Sequence, residues 1–259
     1  MITADQHLAG DGIPADGQAS YVYAIVPAGT ELSADLAGLD DQRVGVVRSG
    51  AVGAVVGSVP SDRPLGRRSD LIAHMRVVDV LAASGPTIPV RFGSVLGDVA
   101  EVESELLAAN TAYFGDVLAY VSGRHQFIVR GRYDEDTVLA EIVSERRDIA
   151  ELRERTCSLP DDVGLAEKVR LGELVSHALD AKREADAGAV LDRLLPHAVD
   201  WNTRSSADAD DLIHVSLLVD EHDREAFEEA AESAANTLAG RARLSLLGPS
   251  AAYDFVPEV

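Results

Sequence analysis

The sequence predicts an α+β protein of two domains, an N-terminal α+β sheet domain over 20–122 and a C-terminal domain over 123–259. Three observations carry this. Residues 21–90 run strand, short helix, two strands, helix, strand, which is close to a ferredoxin-like βαββαβ order with a short first crossover. An amphipathic stripe over 99–120 follows and closes the block. Residues 212–247 then read strand, helix, strand, half of a split βαβ unit.

Taken in order, residues 1–19 form an acidic tail, expected to be disordered, with Asp5, Asp11 and Asp16 and no Lys or Arg. Residues 21–26 are a strand by their aromatic and β-branched content, stopped by Pro27 and Gly29. A short helix suits 31–39. Residues 43–48 and 51–59 read as a hairpin about Ser49-Gly50. Ser69 caps a helix whose inward stripe is Leu71, Met75, Val78 and Ala82, ended by Gly85-Pro86. A short strand over 87–90 leads into a turn. Val99, Val102, Leu106, Ala109, Tyr113, Val117 and Tyr120 then mark one long helix, with Gly115 as a bend point and Ser122-Gly123 as the domain boundary.

In the second domain, 125–133 reads as a strand. A helix over 134–155 buries Val138, Ile142, Ile149 and Leu152 and carries Glu and Arg elsewhere. Two further helices follow, one striped by Leu165, Val169, Val175 and Leu179, the other by Leu191, Leu194, Leu195 and Ala198. Residues 200–211 read as a polar loop around Trp201. A strand at 212–219, a helix at 222–239 and a strand at 241–247 complete the sheet, and Gly248-Pro249 turns the chain toward Tyr253.

Composition narrows the function classes. Lys plus Arg number 23 and Asp plus Glu 44, a net charge of −21, so nucleic acid and anionic membranes are excluded as partners. Partners should be basic, or apolar where the charge is locally absent. The one cysteine, Cys157, rules out an intramolecular disulfide and reads as incidental. No apolar run is long enough for a transmembrane helix, and the N-terminus lacks the basic start and apolar centre of a secretory signal.

Catalytic strings are absent. There is no P-loop, no dinucleotide glycine spacing among Gly45, Gly50, Gly53 and Gly57, no His-Glu-x-x-His pair and no Gly-x-Ser-x-Gly elbow. Asp208 to Asp211 lacks the glycine and closing Glu of a calcium loop. Asp220 to Asp223 opens a helix, where negative charge suits the dipole. No catalytic, cofactor-binding or metal-ligating residue is therefore assigned. His74 reads as a structural histidine, with an interface role as the alternative. Arg91, set among apolar residues in Ile88-Pro89-Val90-Arg91-Phe92-Gly93-Ser94-Val95-Leu96, needs a partner if it is buried. It reads either as a domain-bridging or interface arginine or as an anion site.

Three segments carry a family resemblance: residues 21–26; His74 followed by Ile88-Pro89-Val90-Arg91-Phe92-Gly93-Ser94-Val95; and Leu247-Gly248-Pro249-Ser250-Ala251-Ala252-Tyr253-Asp254-Phe255-Val256. The second is similar to Leu-Pro-Met-Arg-Phe-Gly-Thr-Val, and the third to Gly-Pro-Trp-Pro-Pro-Tyr-Ser-Phe-Val, of the gas vesicle protein F/L family (GvpF/GvpL). Ser250-Ala251-Ala252 stands where that family has Trp-Pro-Pro, so an aromatic anchor is lost. The resemblance implies a C-terminal ferredoxin-like domain with an inserted helical region at about 134–199. It also implies a non-enzymatic accessory protein of gas vesicle assembly, without cofactor, located on the vesicle within the cytoplasm. Its implied partners are the apolar shell protein GvpA and other accessory proteins, in a chaperone-like or nucleating role. His74, Arg91, Phe92, Gly93, Tyr253 and Phe255 are the candidate interface or domain-junction residues. The rival reading is a metabolite-binding sensor or small-molecule enzyme, since tandem ferredoxin-like domains host both.

Overall fold

The structure is a computed structural model. It describes residues 12–15, 18–60, 62–157, 164–205, 208 and 210–256. The chain divides into two units, one of residues 1–126 with 249–259 and one of 127–248. The division differs from the expected one in its last segment, because 249–259 returns to the first unit. The cause is local. Ala251 and Ala252 are buried, and Ala251 packs in the first unit's core. The Gln126 side-chain amide donates to Asp254 Oδ2 at 2.8 Å, and the Asp254 amide donates to Gln126 Oε1 at 2.9 Å.

The first unit is built on strand β1 (Ala19–Pro27), with β2 (Val44–Ser49), β3 (Val52–Val59), β4 (Ile88–Pro89) and β5 (Val95–Leu96). The order across the sheet is β2-β3-β1-β4, with β5 also on β1, and every pairing is antiparallel. Helix α1 (Arg68–Ser84) and the loop after β1 cover one face, where Tyr21, Tyr23, Val77 and Leu81 share a core. The helical run from α2 (Val99–Glu101) to α3 (Thr111–Val121) covers the other, where Val22, Ile25, Leu107 and Phe114 share a second. Burial on both faces is why β1 reads as an unbroken apolar run rather than an alternating one.

Several sequence expectations for this unit are corrected. Residues 31–39 form no helix. They carry a single bridge, Ala37 to Arg43, and a 3-10 turn, Leu39–Asp41, in which Asp40 and Asp41 adopt positive φ of 50° and 57°. The tail expected over 1–19 is ordered in part: Ile13 packs on the second core and Pro14 is buried. The inward face of α1 is Asp70, His74, Val77, Val78 and Leu81, while Leu71 and Met75 lie outward, Met75 at 48% exposure. The expected single helix is a succession of pieces, α2, a π-turn, a 3-10 turn over Ala108–Asn110 and α3, and its phase shifts along them. A π-turn over Val102–Leu107, closed by the Ala108 amide on the Glu103 carbonyl, inserts one residue. Leu107 at its end is buried, as are Phe114, Leu118 and Val121 past it, and Tyr113 and Tyr120 face solvent.

The second unit's sheet places β7 (Asp200–Thr203), β8 (Asp211–Asp220), β6 (Arg124–Tyr133) and β9 (Ala242–Ser250) in the order β7-β8-β6-β9, the first three residues of β6 and the last two of β9 being counted with the first unit. In chain order this repeats the first unit: the third strand lies between the second and the first, and the fourth lies outside the first. Between β6 and β7 come α4 (Glu135–Glu145), α5 (Arg147–Cys157) and α6 (Leu165–Leu194); α7 (Arg224–Thr237) joins β8 to β9. The helix expected over 134–155 is broken by the extended backbone of Arg146. The two helices expected after 165 are one of 30 residues, ended at Pro196. The loop expected around Trp201 contains β7, an exposed polar strand with no hydrophobic pattern to reveal it. Val138, Ile142, Ile149 and Leu152 are buried as the stripe required. Gly131 has no room for a side chain, since a Cβ there would sit 2.9 Å from Ile213 Cγ2.

The corrected face of α1 is testable by urea unfolding. Leu81→Ala should cost about 2–4 kcal/mol. Met75→Ser should stay within about 0.5 kcal/mol. Equal losses would restore the stripe read from the sequence.

Candidate functional site

The family-marker stretch folds as two short strands on β1 with a turn between them. Pro89 and Ile88 pair with Ala24 and Ile25; Leu96 and Val95 pair with Ser20 and Tyr21. Between them the Ser94 amide and hydroxyl both donate to the Arg91 carbonyl, and Gly93 takes a positive φ of 95°. Gly93 is what lets the chain turn so tightly there. β1 itself slips register against β3 between Val22 and Ala24. Alternation already puts Tyr21 and Tyr23 on one face, and the irregularity adds the neighbouring Ala24 to the same core.

Tyr21 Oη is the centre of the site. It accepts a hydrogen bond from the Gly93 amide at 3.1 Å and meets His74 Nδ1 at 2.9 Å. Tyr23 stacks on the His74 ring at 5.7 Å, and Phe92 meets the same ring edge-on at 5.7 Å. Tyr23 Oη accepts from the Leu39 amide at 2.8 Å. Gly38 makes room for that phenol, since a Cβ there would lie 2.1 Å from Tyr23 Oη. Burial raises the Tyr21 pKa to about 12, opposed by the Gly93 amide and aided by the charge of Asp70. Burial likewise lowers the His74 pKa to about 4, with the Val90 carbonyl pulling weakly the other way. With its pKa held that far below 7 by burial, the ring is neutral at pH 7.

The candidate residues divide accordingly. His74, Phe92 and Gly93 meet in this aromatic cluster. Arg91 is exposed on the turn, so the burial cost that made it conspicuous does not arise. Tyr253 is 39% exposed and lies near enough to Asp79 of α1 that the carboxylate adds to the burial raising its phenol. Phe255 is half-buried in the closing turn, outside the cluster. The sequence reading missed Arg63. Its guanidinium, with 10% of the side chain exposed, bridges Asp40 at 2.7 Å and Asp70 at 2.8 Å. Asp70 also accepts from the Gly66 and Arg67 amides, and Arg63, then these amides, hold its carboxyl below the usual range. A carboxylate at the third position of a helix was the available signal.

The second unit has its own ionic network. Asp211, with a fully buried side chain, accepts from Arg130 at 3.0 Å and Arg132 at 3.2 Å. Asp186 accepts from Tyr133 Oη at 2.7 Å and pairs with Arg241. Asp208, Asp210 and Asp211 converge closely enough to hold a cation, as do Asp220, His222 and Asp223. The first group's carboxylates are already engaged by the two arginines. The second sits exposed or half-exposed at a helix start. These contacts organise structure; they do not pair a nucleophile with a base.

The buried histidine gives a pH signature. Its folded pKa, about 4, lies below the ordinary value of 6.5, so the unfolded chain binds the extra proton. The associated stability is complete above pH 6.5 and falls as pH drops toward 4. Urea midpoints should fall across that window with a slope of at most about 1.4 kcal/mol per pH unit from this group. His74→Gln should remove that component; an unchanged slope would show that His74 does not titrate there.

Comparison with known proteins places this geometry. A gas vesicle protein F of Streptomyces sp. is 28% identical over 241 residues, 92% of this chain and 99% of that protein. Gas vesicle protein L1 of Halobacterium salinarum is 27% identical, covering 92% and 90%. The crystal structure of GvpF from Anabaena sp. superposes with a TM-score of 0.82 at 21% identity, over 93% of this chain and 99% of that one. The GvpF structure from Microcystis aeruginosa gives 0.77 at 18% identity, over 92% and 98%. Residues 19–257 match the family described as gas vesicle synthesis protein GvpL/GvpF, and the chain belongs to that family.

Proposed function

We propose that this protein is a non-enzymatic accessory factor of gas vesicle assembly that holds the apolar shell subunit in a chaperone-like or nucleating role. The observation that carries the reading is the family match over 19–257, nearly the whole described chain. The same strand order in both units supports reading each as a split βαβ, ferredoxin-like unit, the second with α4–α6 inserted in its first crossover. An apolar shell subunit aggregates unless its exposed strands and helices are covered. A carrier of charge −21 keeps such a complex in solution while an uncharged patch makes the contact. The vesicle, within the cytoplasm, is the corresponding site of action, with other accessory proteins as further partners.

On the first unit, α1 turns Leu71, Ile72 and Met75 outward, and Asp79 on the same side of the helix neighbours Tyr253. Large exposed apolar side chains grouped on one helix face suit an apolar partner. Phe92 supports this surface from behind through His74. We assign shell-subunit contact to this face. Capture of shell protein should fall for Met75→Asp, Phe92→Ala and Arg91→Ala. Native circular dichroism with unchanged capture by all three would overturn the assignment. Deletion of the gene should leave cells without normal vesicles by electron microscopy; normal vesicles would overturn the assembly role.

A further inference from the structure

We propose that β9 is a docking edge, on which an extended apolar segment of another polypeptide, flanked by Lys or Arg, adds a strand to the second unit's sheet alongside residues 242–247. This goes beyond the accessory reading above, because it fixes a second surface and its binding chemistry without reference to vesicles.

The terminal strands of the two sheets are treated very differently by the fold. On β2 the Arg48 guanidinium donates to the Val46 carbonyl, and the Gly12 backbone crosses so close to Val44 that a Cβ would lie 2.4 Å from its carbonyl oxygen. β4 is two residues long and β7 four. Short strands and capped carbonyls are the ordinary defences of a sheet edge. β9 has nine residues, ends its sheet and is exposed along most of its length; its edge defences are one exposed charge, Arg243, and Pro249, which lies past the stretch 242–247. Leu246 and Leu247 are 38% and 60% exposed there. The backbone groups on the outer side of such a strand are ladder donors and acceptors, and another strand satisfies them in register.

Beside β9, helix α7 is pared to alanine. Ala231 and Ala235 leave a cleft of about 180 Å³ against Leu244 and Leu246, open where the inward side chains of an added strand would fall. Its rim is acidic, formed by Glu228 and Glu232. Among the described residues, Glu228 of this pair has an arginine beside it, Arg224 at 2.9 Å. A second copy would bring the same acidic rim and another −21 of charge. A strand with basic flanks is drawn by that field instead.

The test uses the full chain and a labelled peptide of alternating Val and Thr with Lys at both ends. Fluorescence anisotropy should show binding, and amide exchange at 242–247 should slow when the peptide is present. Glu in place of the Lys flanks should weaken binding about tenfold or more. So should Ala235→Leu, which fills the cleft, with circular dichroism unchanged. Of the two peptides N-methylated in alternate frames, the one whose N–H groups face β9 should lose binding. The proposal is overturned if exchange at 242–247 is unaffected, if both N-methylated peptides bind like the parent, or if Glu-flanked peptide binds equally. A dimer in sedimentation that protects 242–247 without peptide would assign the edge to self-association and overturn it too.

Discussion

Strand β1 is covered by helices on both faces and paired on both edges, and the first unit depends on how that burial is satisfied. A tyrosine buried on such a strand must hydrogen-bond or lose stability. Tyr21 does so twice, to His74 on α1 and to the Gly93 amide in the turn between β4 and β5. One phenol thus ties the central strand to the helix on its face and to the turn at its edge. Tyr23 makes the equivalent tie to the Leu39 turn, and Arg63 fixes that turn to α1 through Asp40 and Asp70. The crossover without a helix is therefore held by side chains, where a helix would have supplied its own hydrogen bonds.

The second unit solves the same strand order with different means. Its first crossover is long and helical, and its buried charges are neutralised across elements, Arg130 and Arg132 on β6 with Asp211 on β8, and Asp186 on α6 with Arg241 ahead of β9. Such networks fix register more than they add stability, because desolvation offsets much of the attraction. Gly131 between the two arginines lets Ile213 and Leu244 close over β6, so the same short stretch serves charge pairing on one side and close packing on the other.

These arrangements separate two kinds of surface. Among the described residues nearly every buried side-chain nitrogen and oxygen is hydrogen-bonded, Ser20 Oγ being an exception. Large apolar side chains remain outside on α1 and β9. In a chain so rich in carboxylates, uncharged ground of that kind is where an apolar partner makes contact without displacing strongly hydrated charge. No helix among the described residues is long and apolar enough to cross a membrane.

Composition and local pattern alone determined the α+β class, strands β1, β2, β3, β6 and β8, helix α7, and the string from Ile88 to Leu96 that marks the family. Each of these is a matter of near neighbours: β-branched runs, a hairpin glycine, alanines and a phenylalanine at helical spacing. The tertiary structure decided the rest, for identifiable reasons. A single π-turn rotated the helix after Val102 by one residue and exchanged Tyr113 and Tyr120 for Phe114, Leu118 and Val121. Tyr21 holds His74 inward, so α1 buries Asp70 and His74 beside Val77, Val78 and Leu81 and shows Leu71 and Met75, while Val78 lies inside as hydrophobicity predicts. β7 is exposed and, Trp201 apart, polar, and only pairing with β8 makes it a strand. The last segment was read with the second domain because it follows that domain in sequence. Two hydrogen bonds between Asp254 and Gln126, 128 residues apart in sequence, and the buried Ala251 and Ala252 return it to the first. Periodicity records which residues favour burial; it holds no information about which distant hydrogen bond will claim them.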